Sequence, residues 1–274
     1  MKAEEIRKAV RDRYGDIAVK AGSCCLPKAT CCGGESVVES ISKGIGYSPE
    51  DLQTVPDGAN LGLGCGNPVA LASLKTGETV VDLGAGAGFD CFLAAQKVGT
   101  TGRVIGVDMT HEMLDKARAN ARKGGYQNVE FRLGEIENLP VADNSADIII
   151  SNCVINLSPD KGRVFQEAFR VLKPGGRLMV SDIVLLKELP TAMQESVAAY
   201  TGCVAGALKK DDYLQQIAAS GFRDVRIIAE TLFPMGEIVK HPAAEAIGDN
   251  DTLKAMAEQL ATSVASIKVA AFKE

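Results

Sequence analysis

The run Val80-Val81-Asp82-Leu83-Gly84-Ala85-Gly86-Ala87-Gly88-Phe89-Asp90 constrains this chain more than any other stretch. Its apolar start reads as a buried strand, and Phe89 to Val98 reads as a helix. Three alternating glycines therefore fall where a strand turns into a helix. Glycine at such a turn lets the backbone approach a ligand without a Cβ in the way. The helix N-terminus then presents free N–H groups to an anionic group. A glycine-rich loop alone is weak evidence, and the strand-loop-helix setting is what gives it weight.

The same alternation continues downstream. Val104 to Val107 reads as a second strand and Met113 to Lys123 as a second helix. Val129 to Leu133 and Ile148 to Ser151 read as the third and fourth strands. A helix from Lys161 to Leu172 should end at Pro174-Gly175-Gly176, before a fifth strand from Leu178 to Ile183. Strands alternating with helices predict an α/β fold, a Rossmann-like doubly wound sheet that is mostly parallel. Beyond it, Leu189 to Val204 and Asp211 to Ala219 read as helices, and Val225 to Ala229 and Ile267 to Phe272 as two more strands. A helical insertion is expected at about 236–263. The chain thus divides into an N-terminal cysteine-rich region of helix and loop, 1–75, and a domain over 76–274 with helical segments at about 187–220 and 236–263.

The 274 residues, 46% hydrophobic, suffice for a sizeable core without staples. A net charge of -5 argues against a nucleic-acid partner, which needs clustered Lys and Arg. No stretch is apolar enough for a membrane span. Met1 to Ala21 is charged, with Ile6, Val10, Tyr14 and Ile17 at helical spacing, so it reads as a helix and not a secretory signal. The expected place is the cytoplasm and the expected state a monomer.

Two nucleotide classes compete for the glycine loop. A dinucleotide site wants G-x-G-x-x-G/A, and Phe89 stands at its third glycine. The loop instead reads D-x-G-x-G-x-G. Asp82 at the strand end would repel a pyrophosphate and attract an ammonium. Asp108 ends the second strand, where a carboxylate can take both hydroxyls of a ribose. Its ordinary alternative is a helix cap, a job Thr110 could do.

Eight cysteines are many for a chain expected in a reducing compartment, where stable disulfides are unexpected. Cys91 reads as a small buried hydrophobe. Cys153 follows the fourth strand, whose carboxyl end faces the ligand crevice in a doubly wound sheet. Cys65, between Gly64 and Gly66, is poorly placed for packing and well placed for chemistry. Cys203 sits in Tyr200-Thr201-Gly202-Cys203-Val204, where Gly202 and Gly206 weaken a simple helix. The pairs Cys24-Cys25 and Cys31-Cys32 lack the spacing of a usual zinc site, and both metal binding and redox duty stand open for them. His111 reads as a surface or capping residue and His241, before Pro242, as structural.

From about 76 to 185 the chain resembles the class I S-adenosylmethionine-dependent methyltransferases. The likeness rests on the glycine loop, on Gly134-Glu135-Ile136-Glu137-Asn138-Leu139-Pro140, and on Val171-Leu172-Lys173-Pro174-Gly175-Gly176. It implies S-adenosylmethionine as cofactor, held by Asp82, Gly84, Ala85, Gly86, Asp108, Met109, Glu135, Ile136 and Asn152. It also implies an antiparallel edge made by the last two strands. Asn60-Leu61-Gly62-Leu63-Gly64-Cys65-Gly66-Asn67-Pro68, with Cys153, Cys203, Arg13-Tyr14-Gly15 and Gly46-Tyr47-Ser48-Pro49-Glu50-Asp51-Leu52, resembles the arsenite methyltransferases.

That resemblance implies trivalent arsenic held by Cys65, Cys153 and Cys203, and redox duty for thiols among Cys24, Cys25, Cys31 and Cys32. Soft thiolates suit a thiophilic centre. Three sulfurs leave the arsenic lone pair free to face the methyl, so no general base is required. Methyl transfer oxidises the arsenic, and a cellular thiol reductant of thioredoxin or glutathione type would return the electrons. A C-methyltransferase of the quinone-biosynthesis type would share the central motifs but needs none of these three cysteines. A thiol-based sensor should show a damaged loop, and Asp82, Gly84, Gly86 and Asp108 are intact.

Overall fold

The computed structural model describes residues 2–20, 37–232 and 262–274. Seven strands form one sheet in the order β3-β2-β1-β4-β5-β7-β6. Strands β1 (Thr79–Leu83), β2 (Arg103–Asp108), β3 (Val129–Leu133), β4 (Ala146–Asn152) and β5 (Leu172–Leu185) run parallel. Strand β7 (Val264–Phe272) lies antiparallel between β5 and β6 (Arg223–Leu232). The expected mostly parallel sheet with an antiparallel edge is what forms.

The sheet is apolar on both faces because helices cover both. Side chains alternate along a strand, so Val81, Leu83 and Ile149 enter one core while Val80, Ile148 and Ile150 enter the other. Helix α7 (Lys161–Val171) closes the first core with Val164, Phe165 and Ala168, and α5 (Phe89–Val98) closes the second with Cys91, Phe92 and Ala94. Each of the larger aliphatic side chains buried here contributes about 1.5–3 kcal/mol.

Chain order reverses at β1, with β2 and β3 on one side and β4 and β5 on the other. That opens a crevice at the carboxyl ends of the strands. Among the described residues, four helices precede the sheet: α1 (Ala3–Lys20), α2 (Val37–Gly44), α3 (Pro49–Thr54) and α4 (Pro68–Leu71). Ser48 and Asp51 form a reciprocal capping box at the start of α3. Helix α1 buries Ile6 and Val10 and packs on α6 (His111–Gly124) and α9 (Val197–Thr201), roofing the crevice.

Two expectations need correcting. The helix read from Leu189 to Val204 is broken into α8 (Thr191–Gln194) and α9. Ser196 Oγ accepts the Ala199 N–H and starts a fresh helix, and Gly202 ends it, leaving Cys203 in a left-handed turn. The fifth strand starts at Leu172, directly after α7, and runs through Pro174-Gly175-Gly176 with a register shift opposite Ala146 and Ile148. Helix α10 (Lys210–Ala219) follows the expectation closely. The cysteine pairs at 24–25 and 31–32 lie outside the described residues, as does all but the end of the insertion expected at 236–263.

Candidate active site

The glycine loop does what its composition allows. Gly84, Gly86 and Gly88 have φ of 68°, 52° and 94°, the left-handed region that costs glycine least. A Cβ on Gly84 would meet Val154 Cγ2 at 2.4 Å, whereas one on Gly86 would meet nothing within 4 Å. The open space beside Gly86 belongs to the crevice. Asp108 stitches the loop to β2: its carboxylate accepts the Gly86 N–H at 2.9 Å and the Thr110 N–H at 2.8 Å. Thr110 is the N-cap of α6 but makes no side-chain cap bond, so Asp108 both ties the loop and lines the crevice.

Asp82, Ala85, Met109, Ile136 and Asn152 line the same crevice. Glu135 does not; it turns to α1, with Arg7 Nε at 3.2 Å and Arg11 Nη1 at 3.9 Å. Its neighbour Glu137 faces inward, accepting from Ser158 Oγ at 2.8 Å. Asp82 is 2% exposed and takes a bond from the Cys91 thiol at 3.2 Å. Burial, reinforced by the charge of Asp90, pushes its pKa well up. Asp90 is likewise raised, to about 6, by burial against the opposing bonds from Tyr47 and Asn152. Neither carboxylate has an ion-pair partner among the described residues.

Three thiols converge beyond these carboxylates. Cys65 is held by the loop after α3, Cys153 by the turn after β4, and Cys203 by the turn after α9. The Cys153 thiol has those of Cys203 and Cys65 as neighbours, and these neighbours, more than burial, push its pKa well up. Cys203 Sγ also lies 3.0 Å from the Cys153 carbonyl oxygen. Burial raises the Cys65 thiol, which sits behind the crevice wall at 5% exposure. Cys153 and Cys203 adopt φ of 57° and 65°. Left-handed backbone at a non-glycine residue costs about 1–3 kcal/mol, so surrounding contacts hold both thiols in place against strain.

The residues around the thiols were mostly silent in the sequence. Tyr14 of α1 reaches the Thr201 carbonyl at 3.4 Å, and burial together with Cys203 and Cys153 raises its pKa well up. Asp182, on β5, is fully buried and raised to about 7 by that burial. Lys161 is a buried cation facing Asp182 and Cys203, its Nζ donating to the Ser158 carbonyl at 2.8 Å, and burial lowers its pKa. Tyr47 and Asp90 lay inside quoted motifs without an assigned role. Asp182 and Lys161 had no sequence signal, because an isolated acid in a strand and a lysine at a helix start are both commonplace.

A parallel sheet reversing at β1, a glycine loop at that point and a carboxylate ending β2 define a class I methyltransferase domain, and the Methyltransferase domain family matches residues 74–221. An arsenite methyltransferase of Halobacterium salinarum is 51% identical over 82% of this chain and 59% of its own length. Another, of Aquipseudomonas alcaligenes, is 37% identical over 89% of this chain and 69% of its own. The crystal structure of an arsenic(III) S-adenosylmethionine methyltransferase from Chlamydomonas reinhardtii superimposes with a TM-score of 0.64 at 34% identity, covering 88% of this chain and 75% of that one. The chain belongs to the arsenite methyltransferase family. It spans about six tenths of the length of the Halobacterium relative. A demethylmenaquinone methyltransferase of Lactococcus lactis matches a smaller part, 57% of this chain at 32% identity.

S-adenosylmethionine is the cofactor of this class, and the crevice fits it. The space beside Gly86 admits a ligand against the backbone. Asp82 and Asp90 offer two buried carboxylates to a positively charged group.

Proposed function

We propose that this chain transfers a methyl group from S-adenosylmethionine to trivalent arsenic held by Cys65, Cys153 and Cys203. The observation that carries the reading is the meeting of three thiols from three separate loops beside the cofactor crevice, with Cys153 and Cys203 lining it and Cys65 just behind its wall. A quinone-type carbon methyltransferase has no use for such a cluster.

In this reading Asp82 faces the ammonium of the cofactor, Asp108 its ribose, and Gly84, Ala85 and Gly86 its backbone-contacting side, with Met109, Ile136 and Asn152 along the same wall. Glu135, turned towards Arg7 and Arg11, acts by holding α1 over the crevice. When bound, the cofactor supplies an electrophilic methyl on a sulfonium. The protein supplies the acceptor. Each thiol displaces one hydroxyl of arsenous acid, and its proton leaves with that hydroxyl as water. A pyramid of three As–S bonds keeps the arsenic lone pair unshared, and fixed sulfurs give it the orientation that a near-attack pose requires.

Transfer leaves the arsenic formally pentavalent. Two thiols return it to the trivalent state by closing a disulfide, and a cellular thiol of thioredoxin or glutathione type reopens that disulfide. Cys24, Cys25, Cys31 and Cys32 are the thiols we assign to this step. Residues 1–75 then act as a cap on a methyltransferase domain spanning 76–274. The protein is read as a cytoplasmic monomer; no helix among the described residues is long and apolar enough to cross a membrane.

The test is incubation of the purified chain with S-adenosylmethionine, arsenite and a thiol reductant, followed by speciation of the arsenic. Methylated arsenicals are expected. Tight cofactor binding with arsenite returned unmethylated would overturn the reading and leave the cofactor site standing.

A further inference from the structure

Beside the three-thiol set lies a different set of ligands. Cys65 Sγ, Cys153 Sγ and a carboxylate oxygen of Asp182 all lie within 4.8 Å of one another. We propose that these three groups form a mixed sulfur–oxygen site for a thiophilic divalent cation of the zinc or cadmium type. It shares two ligands with the arsenic site and replaces Cys203 by Asp182.

The carboxylate is built like a metal ligand. Asp182 Oδ1 accepts from Asn156 Nδ2 at 2.9 Å and from the Ile183 N–H at 2.9 Å, while Oδ2 accepts only the Tyr213 hydroxyl, at 3.1 Å. An ionised carboxylate has about four acceptor sites, so three donors leave a lone pair on Oδ2. Orienting bonds of this kind are what hold ligating carboxylates in place around a metal. The group is fully buried towards the carboxyl end of β5 and cannot turn away to water.

The two ligand sets suit different chemistries. Trivalent arsenic keeps a directed lone pair and bonds three sulfurs in a pyramid. Zinc and cadmium, with filled d shells, have no lone pair to accommodate and take sulfur and oxygen together in a tetrahedron. Closing the ligand triangle around a cation draws together ligand atoms already within 4.8 Å of one another and leaves a fourth position to water. Binding displaces the two thiol protons to solvent and consumes Cys65 and Cys153. A divalent cation would therefore block arsenic capture by taking two of its three thiols. The site stands on its own ligands, so it can fail while the arsenic reading holds, and the reverse.

The experiment uses the full chain with Cys24, Cys25, Cys31 and Cys32 changed to Ser, so that these four thiols do not compete. Cadmium is titrated in, reading the ultraviolet sulfur-to-cadmium charge-transfer band. Asp182→Asn should weaken cadmium binding by at least about ten-fold, and Cys203→Ser by no more than about two-fold. Asp182→Asn keeps the acceptor for Ile183 and Asn156 and can donate to the Tyr213 oxygen, and retained S-adenosylhomocysteine binding checks its fold. Cadmium NMR of the unsubstituted site gives a second reading that needs no variant. A shift in the range of two sulfurs with oxygen ligands is expected. A three-sulfur shift, an unaffected Asp182→Asn variant, or a Cys203→Ser loss as large as the Asp182→Asn loss would each overturn the proposal.

Discussion

Asn152 grips the backbone on both sides of the Cys65 side chain: its Oδ1 accepts the Cys65 N–H at 3.1 Å, and its Nδ2 donates to the Gly66 carbonyl at 2.8 Å. The same Nδ2 lies 2.8 Å from the Tyr47 hydroxyl and 3.1 Å from Asp90. One amide thus joins the loop that carries a thiol to the wall of the cofactor crevice.

Removing that amide should loosen the thiol more than the cofactor. Each lost hydrogen bond is worth about 1 kcal/mol net, more where a buried group is left unpaired. Asn152→Ala is expected to weaken arsenite binding by roughly ten-fold or more, with a smaller change in affinity for S-adenosylhomocysteine. Calorimetric titration of both ligands checks this. An equal loss for the two would place Asn152 chiefly in the cofactor site.

The three thiols should act as a unit. Cys153→Ser and Cys203→Ser are each expected to abolish arsenite methylation while leaving cofactor binding in place, because a serine oxygen is a poor partner for a thiophilic centre. Product speciation and cofactor titration on the same preparation read both halves. Full activity in either variant would remove that residue from the site.

Gly66 is held against β5 by contact, with no room for a side chain. A Cβ there would sit 1.8 Å from Ser181 Oγ and 2.9 Å from Ser181 Cβ. Gly66→Ala should cost about 1–3 kcal/mol of stability and displace Cys65. Adding Ser181→Gly clears both atoms and should recover most of the loss. Denaturant melts of the single and double variants test the coupling; a double variant no more stable than Gly66→Ala alone would rule the contact out as the cause.

Asp182 should make stability fall as pH rises. Its folded pKa of about 7 lies above the ordinary carboxylate value near 3.9, so the folded protein holds a proton the unfolded chain has lost. The contribution is fully present below about pH 4 and lost as pH climbs through about 7. Asp182→Asn removes this titration. Relative to wild type, the variant should gain on the order of 1 kcal/mol or more between about pH 5 and pH 8. Denaturant melts across that range measure it, and parallel curves for the two proteins would show that Asp182 ionises normally.

The local code of the chain settled the frame. Helix α5 and strand β3 fall on the residues that periodicity assigns them, because each has a long enough apolar pattern and a clear turn beside it. The glycine loop and Asp108 were legible for the same reason: their chemistry depends on position within one strand-turn-helix unit. The break between α8 and α9 was not, since it turns on Ser196 capping in competition with helix continuation. Glu135 was read as a cofactor contact from the family resemblance, and its pairing with Arg7 and Arg11 could not be foreseen, because it depends on where α1 docks.

What tertiary structure alone decided is which distant residues share a site. Cys65, Cys153 and Cys203 could be singled out in the sequence, but their meeting depends on the order in which strands pair and on two left-handed turns held by packing. Asp182 and Lys161 carried no signal whatever, because their meaning comes from burial, and burial is a property of the assembled sheet and helices. Local periodicity encodes elements through short-range sterics and hydrogen bonding. The electrostatics of a buried acid beside two thiols arises only when long-range contacts have removed the water.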